Sequence, residues 1–163
     1  MRSLTVYYSF HHYNTEKIAL KIAHSLSGNV ISLKESDINT IEGYDLVGFG
    51  SGIYFGKFHP ALLTFIKRLP DAEGKPAFIF STSGIPDLLL INRFSNPFKE
   101  LLIRKGFQVV GEFNCLGFDS NGLLRFIVGI NRDRPNETDL KKAGLFANNL
   151  ISAWNKNPHP EPQ

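Results

Sequence analysis

The stretch Asp45-Leu46-Val47-Gly48-Phe49-Gly50 decides the fold. It is almost continuously apolar after its first residue. A strand with one wet face alternates apolar and polar residues, and this one does not. It therefore reads as a strand covered on both faces, as in a parallel sheet between two helical layers. Upstream, Leu4-Thr5-Val6-Tyr7-Tyr8 is a β-branched and aromatic run of the same kind, and Val30-Ile31-Ser32-Leu33 a shorter one. Between them Ile18, Ala19, Ile22, Ala23 and Leu26 share one helical face, with Gly28-Asn29 as the stop. Downstream, Pro60 opens a helix carrying Leu62, Leu63, Phe65, Ile66 and Leu69, which Pro70 ends. Ala77 to Ser81 is a fourth strand, a helix lies around Pro97 to Lys105, and Phe107 to Asn114 is a fifth strand. The last helix starts near Asn136, and its stripe from Leu140 to Trp154 places the lone Trp in the core.

Five strands alternating with helices predict an α/β fold, a three-layer sandwich with a five-stranded parallel sheet and helices on both faces. A length of 163 residues suits one domain. Residues 1–154 are read as that domain and 155–163 as a polar, flexible tail. Hydrophobic residues make up 42% and charged residues 20%, a globular composition. The single Cys115 excludes an internal disulfide and a multi-cysteine zinc site. No apolar run has the length of a membrane span, and no signal-peptide pattern precedes Leu4, which predicts a cytoplasmic protein.

Ligands of open α/β sheets bind at the carboxyl ends of the strands, near the point where strand order reverses. Three loops lie there. After strand one, Ser9-Phe10-His11-His12-Tyr13-Asn14-Thr15 leads directly into a helix. Orphan N–H groups and the helix dipole favour an anion such as phosphate there. Asn14 or Thr15 would equally cap any helix. After strand three, Ser51-Gly52-Ile53-Tyr54-Phe55-Gly56-Lys57-Phe58-His59 brackets a Tyr-Phe pair between glycines. Exposed, the pair makes a platform for a planar ligand; tucked under, Phe55 and Phe58 would extend the core. After strand four, Thr82, Ser83 and Gly84 are small enough to let main chain approach a ligand edge, or form an ordinary turn.

Together these loops resemble the flavodoxin family. Its first loop usually reads Thr or Ser, any residue, Thr, Gly, Asn, Thr; here Ser9 matches the start and Asn14-Thr15 the end. The similar spacing of elements runs over residues 3 to 154. The resemblance implies non-covalent FMN, with phosphate in the first loop (Ser9, His11, His12, Tyr13, Asn14, Thr15). The isoalloxazine would lie between Gly52, Ile53, Tyr54, Phe55 and Gly56 on one side and Thr82, Ser83 and Gly84 on the other. Two departures stand out. The first loop is one residue longer, with His11-His12-Tyr13 in place of Thr-Gly, so Tyr13 must reach a shape that Gly normally supplies. The aromatic loop also lacks Trp, leaving Tyr54 or Phe55 to stack on the ring.

Other chemistries lack their residues. No carboxylate or Cys cluster accompanies His11-His12, so no metal site is expected. There is no phosphate-binding Gly-x-x-x-x-Gly-Lys-Ser/Thr run, no nucleophile elbow, and no acidic residue at the end of strand one. The resemblance implies a one-electron carrier between redox partners, with no catalytic side chain, since the redox chemistry is the cofactor's. A glycine beside the flavin N5, Gly52 or Gly56, would let a peptide turn over and favour one-electron steps. The alternative is an FMN-dependent NAD(P)H or quinone reductase, and a third reading is a fold relative without flavin. Redox proteins or small-molecule electron donors and acceptors are the expected partners, with no nucleic acid. The net charge of +3 falls within residues 93–142, which carry nine basic and six acidic residues. Arg125, Arg132 and Arg134 there would make a basic docking surface, or merely a solvated face.

Overall fold

A computed structural model describes residues 1–10, 13–84, 91–117 and 133–156, with the backbone alone for 91–95. The elements are β1 (Ser3–Tyr8), α1 (Asn14–Ser25), β2 (Asn29–Ser32), β3 (Leu46–Tyr54), β4 (Lys57–Phe58), α2 (Pro60–Arg68), β5 (Pro76–Ser83), α3 (Ile91–Arg104), β6 (Gln108–Leu116) and α4 (Glu137–Lys156). The sheet order is β2-β1-β3-β5-β6, every neighbouring pair parallel. The short β4 pairs antiparallel with the end of β3. Because β1 lies between β2 and β3, the chain leaves it first to one side and then to the other. The order therefore reverses at β1 and β3, and the crevice at their carboxyl ends is the switch point.

Alternation along the strands sends side chains into two cores. Leu4, Val6, Val47, Phe49 and Ile79 pack against α2 and α3. Leu46, Phe78 and Phe80 pack against α1 and α4. Two glycines of β3 exist for this second core. A Cβ on Gly48 would sit 2.1 Å from Cζ of Phe78, and one on Gly50 would sit 2.3 Å from the ring of Phe80. Both phenylalanines come from the adjacent β5 and lie across the places where β3 side chains would stand.

The helix ends follow local chemistry. At the end of α1, the Ser27 N–H donates to the carbonyl of His24 and the Gly28 N–H to that of Ala23. This is a Schellman closure in which Ser27, at φ 51°, takes the left-handed position. Gly28 is needed for space instead, since its Cβ would meet Ser3 Oγ at 2.0 Å. At the start of α4, the Asn136 side chain accepts from the Asp139 N–H while Asp139 accepts from the Asn136 N–H, a reciprocal capping box. The buried Asp139 also takes a 2.7 Å ion pair from Arg134.

Several boundaries differ from the sequence reading. β3 continues past Gly50 to Tyr54, because the turn that ends it lies at Phe55-Gly56. α3 begins at Ile91, so Pro97 lies inside it at the cost of one helical hydrogen bond. β6 runs on to Leu116. α4 reaches Lys156, two residues past the expected domain edge at 154. Trp154 is half-exposed near its end and is not a core residue; Ala143, Ala147 and Leu150 carry the packing of this helix. Residues 118–132, with Arg125 and Arg132, lie outside the described residues. No helix among the described residues is long and apolar enough to cross a membrane.

Candidate functional site

The expected site residues gather at the carboxyl ends of β1, β3 and β5, apart from His11 and His12, which lie outside the described residues. On the β1 side, Tyr13 stands immediately before α1 with φ 55° and ψ 21°. That is the left-handed region glycine favours and bulky residues avoid. The position that resembles a glycine of the family's loop thus keeps a glycine-like backbone despite its side chain, which points to solvent. Asn14 and Thr15 follow in the first turn of α1, both buried. Thr15 Oγ1 lies 2.9 Å from Oγ1 of Thr82 at the end of β5. Behind Asn14, a Cβ on Gly117 would come within 2.9 Å of its Nδ2. Tyr7 lies on the same side of β1, near Glu16 of α1. Burial, then the nearby Glu16 carboxylate, pushes its phenol up from its ordinary pKa.

The loop after β3 is a tight hairpin. Ile53 pairs with Phe58 and Tyr54 with Lys57, so Phe55 and Gly56 alone make the turn. Both have positive φ, 48° and 77°, as a type I′ connection requires. The two phenylalanines of this loop separate. Phe58 is buried and stacks on Phe98 of α3 with ring centroids 4.2 Å apart, while Phe55 is fully exposed. The two glycines separate as well. Gly52 is a strand residue, paired with Thr82, and its carbonyl accepts a 2.8 Å hydrogen bond from the buried Ser51 hydroxyl. Its peptide is held by the ladder to β5 and by that hydroxyl. Gly56 sits in the turn itself, outside the ladder to β5.

A residue not chosen from the sequence organises this end of the sheet. His59 lies between the hairpin and α2. Its ring stacks on Tyr8 at 3.9 Å and 22°, and meets the edge of Tyr54 at 5.4 Å. Phe10 lies further out at 6.5 Å. His59 Nδ1 accepts the Ala61 N–H, capping α2, and the His59 N–H donates to Ser51 Oγ. The signal was present in the sequence: a side chain with an acceptor directly before a helix-opening proline is an N-cap. Burial lowers the pKa of His59 from its ordinary value. An Nδ1 that accepts must be unprotonated, so the fold binds the neutral ring. Stability from this contact is complete above about pH 6.5 and falls as the pH drops through and below that value. Urea midpoints measured from pH 7.5 to 5 should therefore decline less steeply in His59→Asn, which keeps a cap acceptor and cannot titrate.

Two groups are quieter. Cys115 is buried, and that burial, reinforced by Asp139, pushes its thiol up to about 12, so it stays protonated and unreactive. Arg134 is committed to Asp139 and is not a free cation for docking.

The arrangement offers a helix N-terminus with buried amide and hydroxyl groups for an anion. Beside it lies an aromatic cluster of Tyr8, Phe10, Tyr54 and His59, with Phe55 exposed at the rim. The chain is similar to known proteins in sequence and in fold. The profile of the flavodoxin domain matches residues 5–89. An uncharacterized protein of Methanocaldococcus jannaschii is 42% identical over 151 residues, which cover 93% of this chain and 99% of that one. A short-chain flavodoxin associated with a non-canonical PDU bacterial microcompartment superposes with a TM-score of 0.69 at 18% identity, covering 94% of this chain and 99% of its own. Oxidised flavodoxin 2 from Bacillus cereus does so at 0.66 and 19%, covering 93% and 99%. The two superpositions establish a shared fold, and the profile adds the family: the chain belongs to the flavodoxin domain family.

Proposed function

We propose that this chain binds FMN non-covalently and passes single electrons between redox partners. The observation that carries this reading is the backbone of Tyr13. A tyrosine held at φ 55° directly before buried Asn14 and Thr15 keeps the loop shape that glycine usually provides. Such strain costs of order 1 kcal/mol and persists where a site requires it. The donor set suits the phosphate: first-turn N–H groups, the Asn14 amide and the Thr15 hydroxyl. Ser9, His11 and His12 complete this loop. The isoalloxazine would lie between the hairpin of Gly52 to Gly56 and the segment Thr82 to Gly84, with Tyr54 or the exposed Phe55 against its face. FMN supplies the electron chemistry. The protein orients the ring, excludes water from one face and sets the hydrogen bond at N5. Gly56, outside the ladder to β5, is the residue whose peptide would turn there, rather than Gly52, which that ladder holds.

The purified protein should take up one equivalent of FMN. Reductive titration should give an electron paramagnetic resonance signal that peaks near half-reduction. Steady oxidation of NAD(P)H by the loaded protein with a quinone acceptor, and no paramagnetic signal, would replace the carrier with the reductase reading.

A further inference from the structure

We propose that Thr82 is a positioning residue for the phosphate end of the flavin, acting through the hydroxyl of Thr15. The inference rests on the FMN reading and goes beyond it, because Thr82 stands on β5, on the ring side of the site.

Thr15 and Thr82 are 3% and 5% exposed, and their Oγ1 atoms are 2.9 Å apart, linking residues 67 positions apart in sequence. A hydroxyl brings one proton and two acceptor lone pairs. A pair of hydroxyls therefore uses one proton between them and has one left to give. Two orders exist. If Thr15 donates to Thr82, Thr15 presents only lone pairs to the loop, which repel an anion. If Thr82 donates to Thr15, the Thr15 proton is released toward the first turn of α1, where the helix dipole also favours negative charge. A bound phosphate selects the second order. The donation from Thr82 also polarises the Thr15 hydroxyl and strengthens the bond it gives.

The position of Thr82 is itself fixed. It pairs with Gly52 on one side and Cys115 on the other, inside the sheet. Gly117, just past β6, lies close behind Asn14, where a Cβ would come within 2.9 Å of Asn14 Nδ2, and its N–H donates to the Ser83 carbonyl. The last two residues of the loop are thus braced by the ends of two strands that the loop itself does not belong to.

The experiment compares FMN with riboflavin, which has the same ring and no phosphate. Dissociation constants are measured by flavin fluorescence quenching for the full chain, Thr82→Val and Thr82→Ser. Thr82→Val keeps the shape and removes the donor. It should weaken FMN about threefold more than riboflavin, because the Thr15 hydroxyl keeps its own bond to the phosphate and loses only the donor that polarises it and holds its proton outward. Thr82→Ser should restore the wild-type ratio. In a Thr15→Val background the Thr82→Val change should no longer alter the ratio, because the hydroxyl it acts through is gone. Equal weakening of both flavins, or none, overturns the inference while leaving FMN binding intact. A wild-type chain that binds no FMN overturns the FMN reading, and the inference with it.

Discussion

An Asn14→Asp chain is expected to lose about a hundredfold or more of its FMN affinity and to keep its affinity for riboflavin. Asn14 is buried in the first turn of α1, where the donors for an anion converge. The substitution changes one atom's chemistry and almost no volume. It does put a negative charge within a few ångströms of where the phosphate would lie. Two unit charges about 4 Å apart repel by roughly 4 kcal/mol at an effective dielectric near 20, and salt and residual solvent take part of this away. Loss of about 3 kcal/mol, or a hundredfold, is what remains. The fold should tolerate the change, because a carboxylate at a helix N-terminus is favoured by the dipole. Fluorescence titration at two salt concentrations checks it. The defect should shrink as salt rises, and a defect shared equally by riboflavin would locate the damage in the fold instead.

The largest effect on stability is expected at Gly48. Alanine adds one methyl group, 2.1 Å from the Phe78 ring tip. Phe78 is fully buried and also meets Phe146 edge-on at 5.8 Å, so it has nowhere to turn. Overpacking of this kind costs about 1–3 kcal/mol and at times more, and this contact belongs at the upper end. For a domain of this size about 3 kcal/mol corresponds to roughly 10 °C in Tm. Gly48→Ala should melt lower by that amount, and the double change Gly48→Ala with Phe78→Leu should recover part of it. A Tm within about 2 °C of wild type would show that the ring is not fixed there.

The architecture was legible because it follows from local pattern. The unbroken apolarity of Leu46 to Gly50 announced a strand buried on both faces, and Pro60 and Asn136 marked helix starts where helices begin. The reasons for individual residues were not legible where the cause lies on a distant segment. Gly48 and Gly50 lie within that expected strand, but the phenylalanines that leave no room for a Cβ there come from β5. Trp154 obeys the helical stripe, but it lies near the end of α4, outside the buried core, and is only partly buried.

The site divides in the same way. Its position follows from topology, and Asn14-Thr15 from the helix start. Tyr13 read as a departure, and the backbone shows how it is accommodated: the chain accepts a left-handed tyrosine. His59 was overlooked because its role is relational, stacking on Tyr8 from β1 while it caps α2. Of the arginines expected to make a docking surface, Arg134 is instead held in an ion pair with the buried Asp139 at the start of α4.

The most direct measurement of the central claim is equilibrium titration of the flavin-free chain with FMN, followed by fluorescence. The account calls for quenching that saturates at one FMN per chain, with tight binding that weakens when riboflavin is substituted. A chain that leaves FMN fluorescence unchanged at micromolar concentrations of both would contradict it.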